Sequence, residues 1–193
     1  VTLTMWHNYG GDMQQAMEQH GLPLWALESQ KSVKDFDMIA FTIGYEMSYT
    51  NILNMLRLSD VPLRSKDRKG LKNIVFAGGV CAYNPEPLAD YIDFFSLGEG
   101  EESTVEIVSL YDRAKVEGWS KEQFLLAVSR IPGVYVPSFY QHEYNSDGTL
   151  ARVTAFHDAP KMITKRIIEN LDAAYFPTKT IVPSTEIVHD RAN

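Results

Sequence analysis

Phe76-Ala77-Gly78-Gly79-Val80-Cys81 and, a short way downstream, Phe94-Phe95-Ser96-Leu97-Gly98-Glu99-Gly100-Glu101-Glu102 decide the fold class of this chain. Each half is a brief apolar run that halts on glycines. Residues 73–77 and 92–97 have the length and composition of buried strands. A strand that breaks into Gly-Gly or Gly-Glu-Gly brings its backbone close to whatever lies at its end, because glycine has no Cβ and tolerates positive φ. In an open α/β sheet, ligands sit in the crevice at the carboxyl ends of the strands. Gly78, Gly79, Val80, Gly98, Glu99, Gly100 and Glu101 are therefore expected to wall one crevice, with Tyr45 and Glu46 on the adjoining strand end. The plain alternative is structural: Gly-Gly as a turn, and Gly-Glu-Gly-Glu as a helix start whose acids suit the helix dipole.

The flanking sequence extends the pattern. Residues 37–43 read as a buried strand, almost continuously apolar after Asp37. Residues 1–6 read as a possible strand, and Asp12 as the cap of a helix to about His20, halted by Gly21-Leu22-Pro23. Residues 24–27 are a short strand or the packing end of a loop. Ser48 or Thr50 is expected to cap a helix with Ile52, Leu53 and Leu56 on its apolar stripe. A helical turn is expected at 88–91. A helix over 103–117 takes Val105, Val108, Leu110 and Tyr111 as its face and ends at Gly118. Ser120 with Gln123 resembles a capping box for the next helix, which has Phe124, Leu125 and Val128 on its face. Alternation of strands and helices predicts a parallel sheet with helices on its faces.

The pattern changes after Ile131. Residues 133–137 are short and β-like. Asp147-Gly148 between two alternating runs, 141–144 and 150–153, predicts a hairpin. Residues 165–171 read as a short strand or helix crossing back. The extended stretch to Asn193 carries Ile181, Val182, Ile187 and Val188.

Composition narrows the function. The chain has 193 residues, is 45% hydrophobic and carries a formal charge of -7 with one cysteine. An acidic balance argues against a nucleic-acid surface, and the basic run Arg64-Ser65-Lys66-Asp67-Arg68-Lys69 reads as a solvated loop. A lone cysteine makes no internal disulfide, so a cytoplasmic setting is expected. No run approaches the roughly 18 apolar residues of a membrane span. His7, His20, His142, His157 and His189 lack ligand spacing, and Cys81 reads as a buried, unreactive thiol. Glu99, Glu101 and Glu102 suit hydrogen bonding to a ligand better than acid–base work.

Several of these motifs together resemble the N-terminal half of radical SAM proteins that carry a B12-binding domain, in a bacterial subfamily. They are Asp35-Phe36-Asp37 with the segment to Ser48, Ser48-Tyr49-Thr50-Asn51-Ile52-Leu53-Asn54-Met55-Leu56, Ala77-Gly78-Gly79-Val80-Cys81-Ala82-Tyr83-Asn84-Pro85-Glu86-Pro87-Leu88-Ala89-Asp90 and Leu97-Gly98-Glu99-Gly100-Glu101-Glu102. Tyr175-Phe176-Pro177-Thr178-Lys179 and Glu186-Ile187-Val188-His189-Asp190-Arg191 resemble the lead-in to that family's core. The resemblance implies a Rossmann-like open parallel sheet of the cobalamin-binding type over residues 1–130, with an edge or first strand absent or compressed. A small β-rich connector over 131–193 follows. It implies cobalamin at the crevice. In the full-length protein it implies a 4Fe–4S cluster and S-adenosylmethionine on a radical SAM core beyond Asn193, this chain's expected partner. The family's C-x-x-x-C-x-x-C motif is not in these residues, so the chain alone is expected to be non-catalytic. The Asp-x-His-x-x-Gly signature of cobalamin mutases is also missing. The rival reading is a degenerate Rossmann-like domain that serves as scaffold or interaction module. A dehydrogenase reading fails on fingerprint spacing.

Overall fold

The computed structural model describes residues 2–3, 11–26 and 28–175. Among the described residues there are seven strands: β1 (Thr2–Leu3), β2 (Met38–Thr42), β3 (Ile74–Gly78), β4 (Phe94–Ser96), β5 (Val134–Tyr135), β6 (Tyr140–Tyr144) and β7 (Leu150–Ala155). The helices are α1 (Gly11–His20), α2 (Tyr49–Leu58), α3 (Gly100–Glu117) and α4 (Lys121–Val128). β1 to β5 form one sheet in chain order, parallel through β4, with β5 antiparallel to β4. The fold is α/β and Rossmann-like, as the alternation predicts, with a mixed sheet in place of a purely parallel one. The short segment placed in the connector, Val134–Tyr135, pairs instead with the main sheet. β6 and β7 make the expected hairpin across Asp147-Gly148.

Alternation along the strands splits the core into two layers. Ile39, Phe41, Val75, Ala77 and Phe95 point to the α2 side, where they meet Ile52, Met55 and Leu56. Ile74, Phe94 and Val134 point to the α3–α4 side, against Ile107, Tyr111, Phe124 and Val128. α1 lies beside α2, tied by Arg57 to Glu18 at 2.5 Å and by Asn54 to Gln14 at 2.9 Å.

Helix boundaries show where local rules yield. The Ser120–Gln123 capping box forms, and Gly118 closes α3 in the left-handed conformation. Ser48 does not cap α2: its hydroxyl donates to the Tyr45 carbonyl at 2.5 Å, backwards along the chain. α1 starts at Gly11, one residue before the expected cap Asp12. α3 starts at Gly100, and its buried face is Ser103, Ile107, Tyr111 and Ala114, while Val105 and Val108 are exposed. A β-branched pair at spacing three imitates a stripe, but the small Ser103 and Ala114 let the helix approach the sheet along the other line. In place of one turn at 88–91 there are two 3-10 turns, Val80–Tyr83 and Glu86–Leu88.

Burial of phenols sets an alkaline limit. Burial pushes Tyr111 up to about 12, helped by the charges of Asp37 and Asp112, and its hydroxyl donates to the Leu71 carbonyl at 2.6 Å. Burial also raises Tyr135, Tyr140 and Tyr49. An unfolded tyrosine ionises near ~10. Between there and 12 the folded state therefore holds the extra protons, and the stability Tyr111 contributes is complete below about 10 and lost as pH rises toward its folded value. Titration by phenolate absorbance is expected to show a late group of the ten tyrosines ionising together with loss of the fold. Simple ionisation of all ten near the ordinary value, fold intact, would contradict this.

Candidate functional site

Because β2, β3 and β4 are parallel, their carboxyl ends share one edge. The residues singled out from sequence lie along it: Tyr45 and Glu46 beyond β2, Gly78 to Val80 at the end of β3, and Gly98 to Glu101 after β4. What faces the two turn glycines is protein backbone. Gly79 has φ +94, and a Cβ there would stand 2.7 Å from the Ile43 carbonyl oxygen and 2.9 Å from its nitrogen. Ile43 N–H donates to the Gly78 carbonyl at 2.7 Å, and Cys81 N–H donates to the Ile43 carbonyl at 2.9 Å. Gly98 has φ +103, and its Cβ would meet the Arg166 oxygen at 2.1 Å and nitrogen at 2.6 Å. The segment that crosses back does so here, through a single parallel bridge between Gly98 and Arg166.

The remaining members divide into those held by the fold and those standing out of the edge, where the Tyr45 hydroxyl donates to Met47 Sδ at 2.9 Å. Gly78 pairs with Thr42 in the ladder. Gly100 opens α3, with Thr104 Oγ1 3.3 Å from where its Cβ would be. The Glu99 carboxylate accepts from Ile168 N–H, and Glu99 N–H donates to the Arg166 carbonyl at 3.1 Å. Glu102 and Glu106 bind the Arg166 guanidinium at 2.6 and 2.8 Å. Glu101 is exposed. Tyr45 and Val80 stand out of the edge with Met47 and Tyr83, all at least half exposed. Burial pushes the Cys81 thiol up, and the Glu46 carboxylate beside it adds to the shift, so the thiol is protonated and unreactive at neutral pH.

A second feature lies at the other end of the sheet. A cavity of about 1230 Å³ opens between the 64–70 loop, the start of α4 and the hairpin. The loop is solvated as expected at Arg64, Lys66, Asp67 and Lys69, and the cavity floor corrects that reading at Arg68 alone. Arg68 is buried and pairs with Asp93 at 3.1 Å, and Lys121 pairs with the same carboxylate at 2.6 Å. Arg68 also donates to the carbonyls of Pro62, Leu63 and Tyr91, and Lys121 to those of Ser65 and Arg68. Burial pulls the Lys121 ammonium below the usual lysine range, and the Asp93 charge pulls it back. Every charged group of the floor is spent on protein partners, which makes the cluster a structural pin. On the far wall His142 faces Glu86 at 3.7 Å, and Glu86 accepts from Tyr135 at 2.5 Å. Two important residues escape a reading of the sequence. Asp93 leaves a signal, a carboxylate inside the apolar run Ile92-Asp93-Phe94-Phe95. Arg166 leaves none.

A mixed Rossmann-like sheet, glycine turns along one edge and a hairpin at its flank define an α/β domain. Among the described residues no group of three or more His, Cys, Asp or Glu could hold an ion, and no helix is long and apolar enough to cross a membrane. Residues 7–137 match the family described as radical SAM proteins, N-terminal, and the chain belongs to that family. It is 34% identical over 97 residues to an uncharacterized protein of Methanocaldococcus jannaschii, a match that covers 49% of this chain and 20% of the relative. The matched part is thus about a fifth of that relative's length. No solved structure matches the chain.

The family resemblance implies a 4Fe–4S cluster and cobalamin. A 4Fe–4S cluster requires about three or four thiolates, and the chain has one cysteine, buried at Cys81. At Gly79 and Gly98, where cobalamin is expected from the resemblance, the space a Cβ would take is held by the backbone of Ile43 and Arg166. A 4Fe–4S cluster does not fit a chain with a single thiol.

Proposed function

We propose that this chain is the non-catalytic N-terminal scaffold of a radical SAM enzyme, and that its carboxyl edge is the face presented to the catalytic core. In this reading S-adenosylmethionine and the 4Fe–4S cluster are held by residues outside the chain. The observation that carries it is the closure of the glycine turns by the chain's own backbone at Gly79 and Gly98, which turns a ligand wall into a folded rim. Tyr45, Met47, Val80 and Tyr83 support it, since exposed apolar side chains on neighbouring turns mark an interaction surface. Cobalamin on the same edge is the second reading, favoured by the aromatic groups Tyr45 and Tyr83, which offer apolar surface to a flat macrocycle.

Hydroxocobalamin separates the two. Mixed with the 193-residue chain and passed over a sizing column, it is expected to elute apart from the protein. Stoichiometric co-elution of cobalamin absorbance, abolished by Tyr45→Asp and Val80→Asp, would replace the scaffold reading with the cofactor one. In the full-length enzyme the same two substitutions are expected to loosen the contact between this domain and the core, read as faster proteolysis between them.

A further inference from the structure

Residues 165–168 pass over the end of β4 and the beginning of β5. Their attachment is almost wholly polar. Arg166 N–H donates to the Leu97 carbonyl at 2.8 Å, Glu99 N–H donates to the Arg166 carbonyl at 3.1 Å, and Ile168 N–H donates to the Glu99 carboxylate. The Arg166 side chain lies between Glu102 and Glu106 on the first turns of α3. Glycine makes the seat from both sides: a Cβ at Gly98 would collide with Arg166 backbone, and one at Gly133 would collide with the Leu97 carbonyl that accepts from Arg166 and stand 3.0 Å from the Arg166 nitrogen. The seat therefore requires glycine at both positions for the Arg166 backbone to approach this closely.

Apolar anchoring is thin. Ile168 is buried, but Met162, Ile167 and Leu171 around it are more than half exposed. The sheet beneath is different in kind, with Ile39, Val75 and Phe95 fully buried. Segments with few buried apolar contacts and exposed ion pairs open locally, below the free energy of global unfolding. Pairs with exposed members are also screened by salt, and Glu102 and Glu106 are about half exposed around a more buried Arg166.

We propose that residues 165–168 form a releasable strap that closes the Gly98–Glu99 end of the carboxyl edge and opens as a unit independent of the sheet. When it lifts, the Leu97 carbonyl, the Glu99 amide and carboxylate, and the Glu102–Glu106 pair become one acceptor-rich seat. That seat fits an extended, arginine-bearing backbone. The chain that leads away from this domain is thereby coupled to the state of the edge. The inference rests on the strap contacts alone and holds whether the edge receives a core or a cofactor.

Amide hydrogen exchange with residue resolution tests it. In the wild-type chain the amides of Arg166 and Ile168 are expected to exchange at least about tenfold faster than those of β2 and β3. Arg166→Ala should speed exchange at Glu99, Arg166 and Ile168 by roughly a further fivefold, with β2 and β3 unchanged. Arg166→Lys should fall between. High salt should reproduce the effect in the wild type and add little in Arg166→Ala, and the salt arm stands even if a variant folds poorly. Equal protection of strap and sheet overturns the proposal. So does acceleration of the whole sheet by Arg166→Ala, or insensitivity of the wild-type strap to salt.

Discussion

Asp93→Ala is expected to cost about 3–5 kcal/mol, enough to leave the domain unfolded or nearly so under mild conditions. The Asp93 side chain has no exposed surface and serves three donors besides Arg68: Val75 N–H at 2.7 Å, Lys121 Nζ at 2.6 Å and the Ser65 hydroxyl. Alanine leaves a guanidinium and an ammonium under the start of β4 without a counter-charge. It also strands a β3 amide. The loss exceeds that of an exposed pair such as Lys34–Asp60, for which less than ~1 kcal/mol is expected. Asp93→Asn keeps an acceptor for the Val75 amide and should lose less than alanine does. Urea unfolding curves of the three proteins decide the matter. An Asp93→Ala midpoint close to wild type would mean that the cluster is hydrated and that its pinning role is wrong.

Gly79→Ala is the second large loss, about 2–4 kcal/mol, in the absence of any ligand. A methyl group at φ +94 is strained by itself, and here it would also sit within 3.1 Å of three backbone atoms of Ile43. No rotamer relieves that contact. The turn must pull away from β2 and stretch the Ile43–Gly78 and Cys81–Ile43 hydrogen bonds. Gly118→Ala is the control, because φ is +69 there and nothing lies within 4 Å. It should lose only about 1 kcal/mol. Equal losses at the two positions, measured in the same denaturant, would mean that the close approach at Gly79 contributes nothing.

The contrast between those glycines explains what the sequence made legible. β2, β3 and β4 are readable because continuous apolar runs of strand length bounded by glycine have few other solutions, and the hairpin is readable from Asp147-Gly148. The glycine turns are readable as places of close approach. The identity of the approaching group is not, since Ile43 and Arg166 lie far from Gly79 and Gly98 in the chain. Arg68 hides in a basic run because burial of an arginine depends on a carboxylate that arrives only when β4 is in place. The direction of β5, two residues long, has no periodic signal at all. Val105 and Val108 mislead for a related reason: spacing names candidate faces, and the residues that permit close packing choose among them.

The path of the chain after β5 has a mechanical side. The chain leaves the sheet, runs through the hairpin beside the cavity at the amino-terminal end, and returns to the opposite edge at Arg166. A pull arriving from beyond Ile168 therefore reaches the strap before it reaches the hairpin. The load is taken up by a short row of hydrogen bonds and two ion pairs. The proposed strap is thereby placed as a fuse, expected to yield before the tug reaches the core layers.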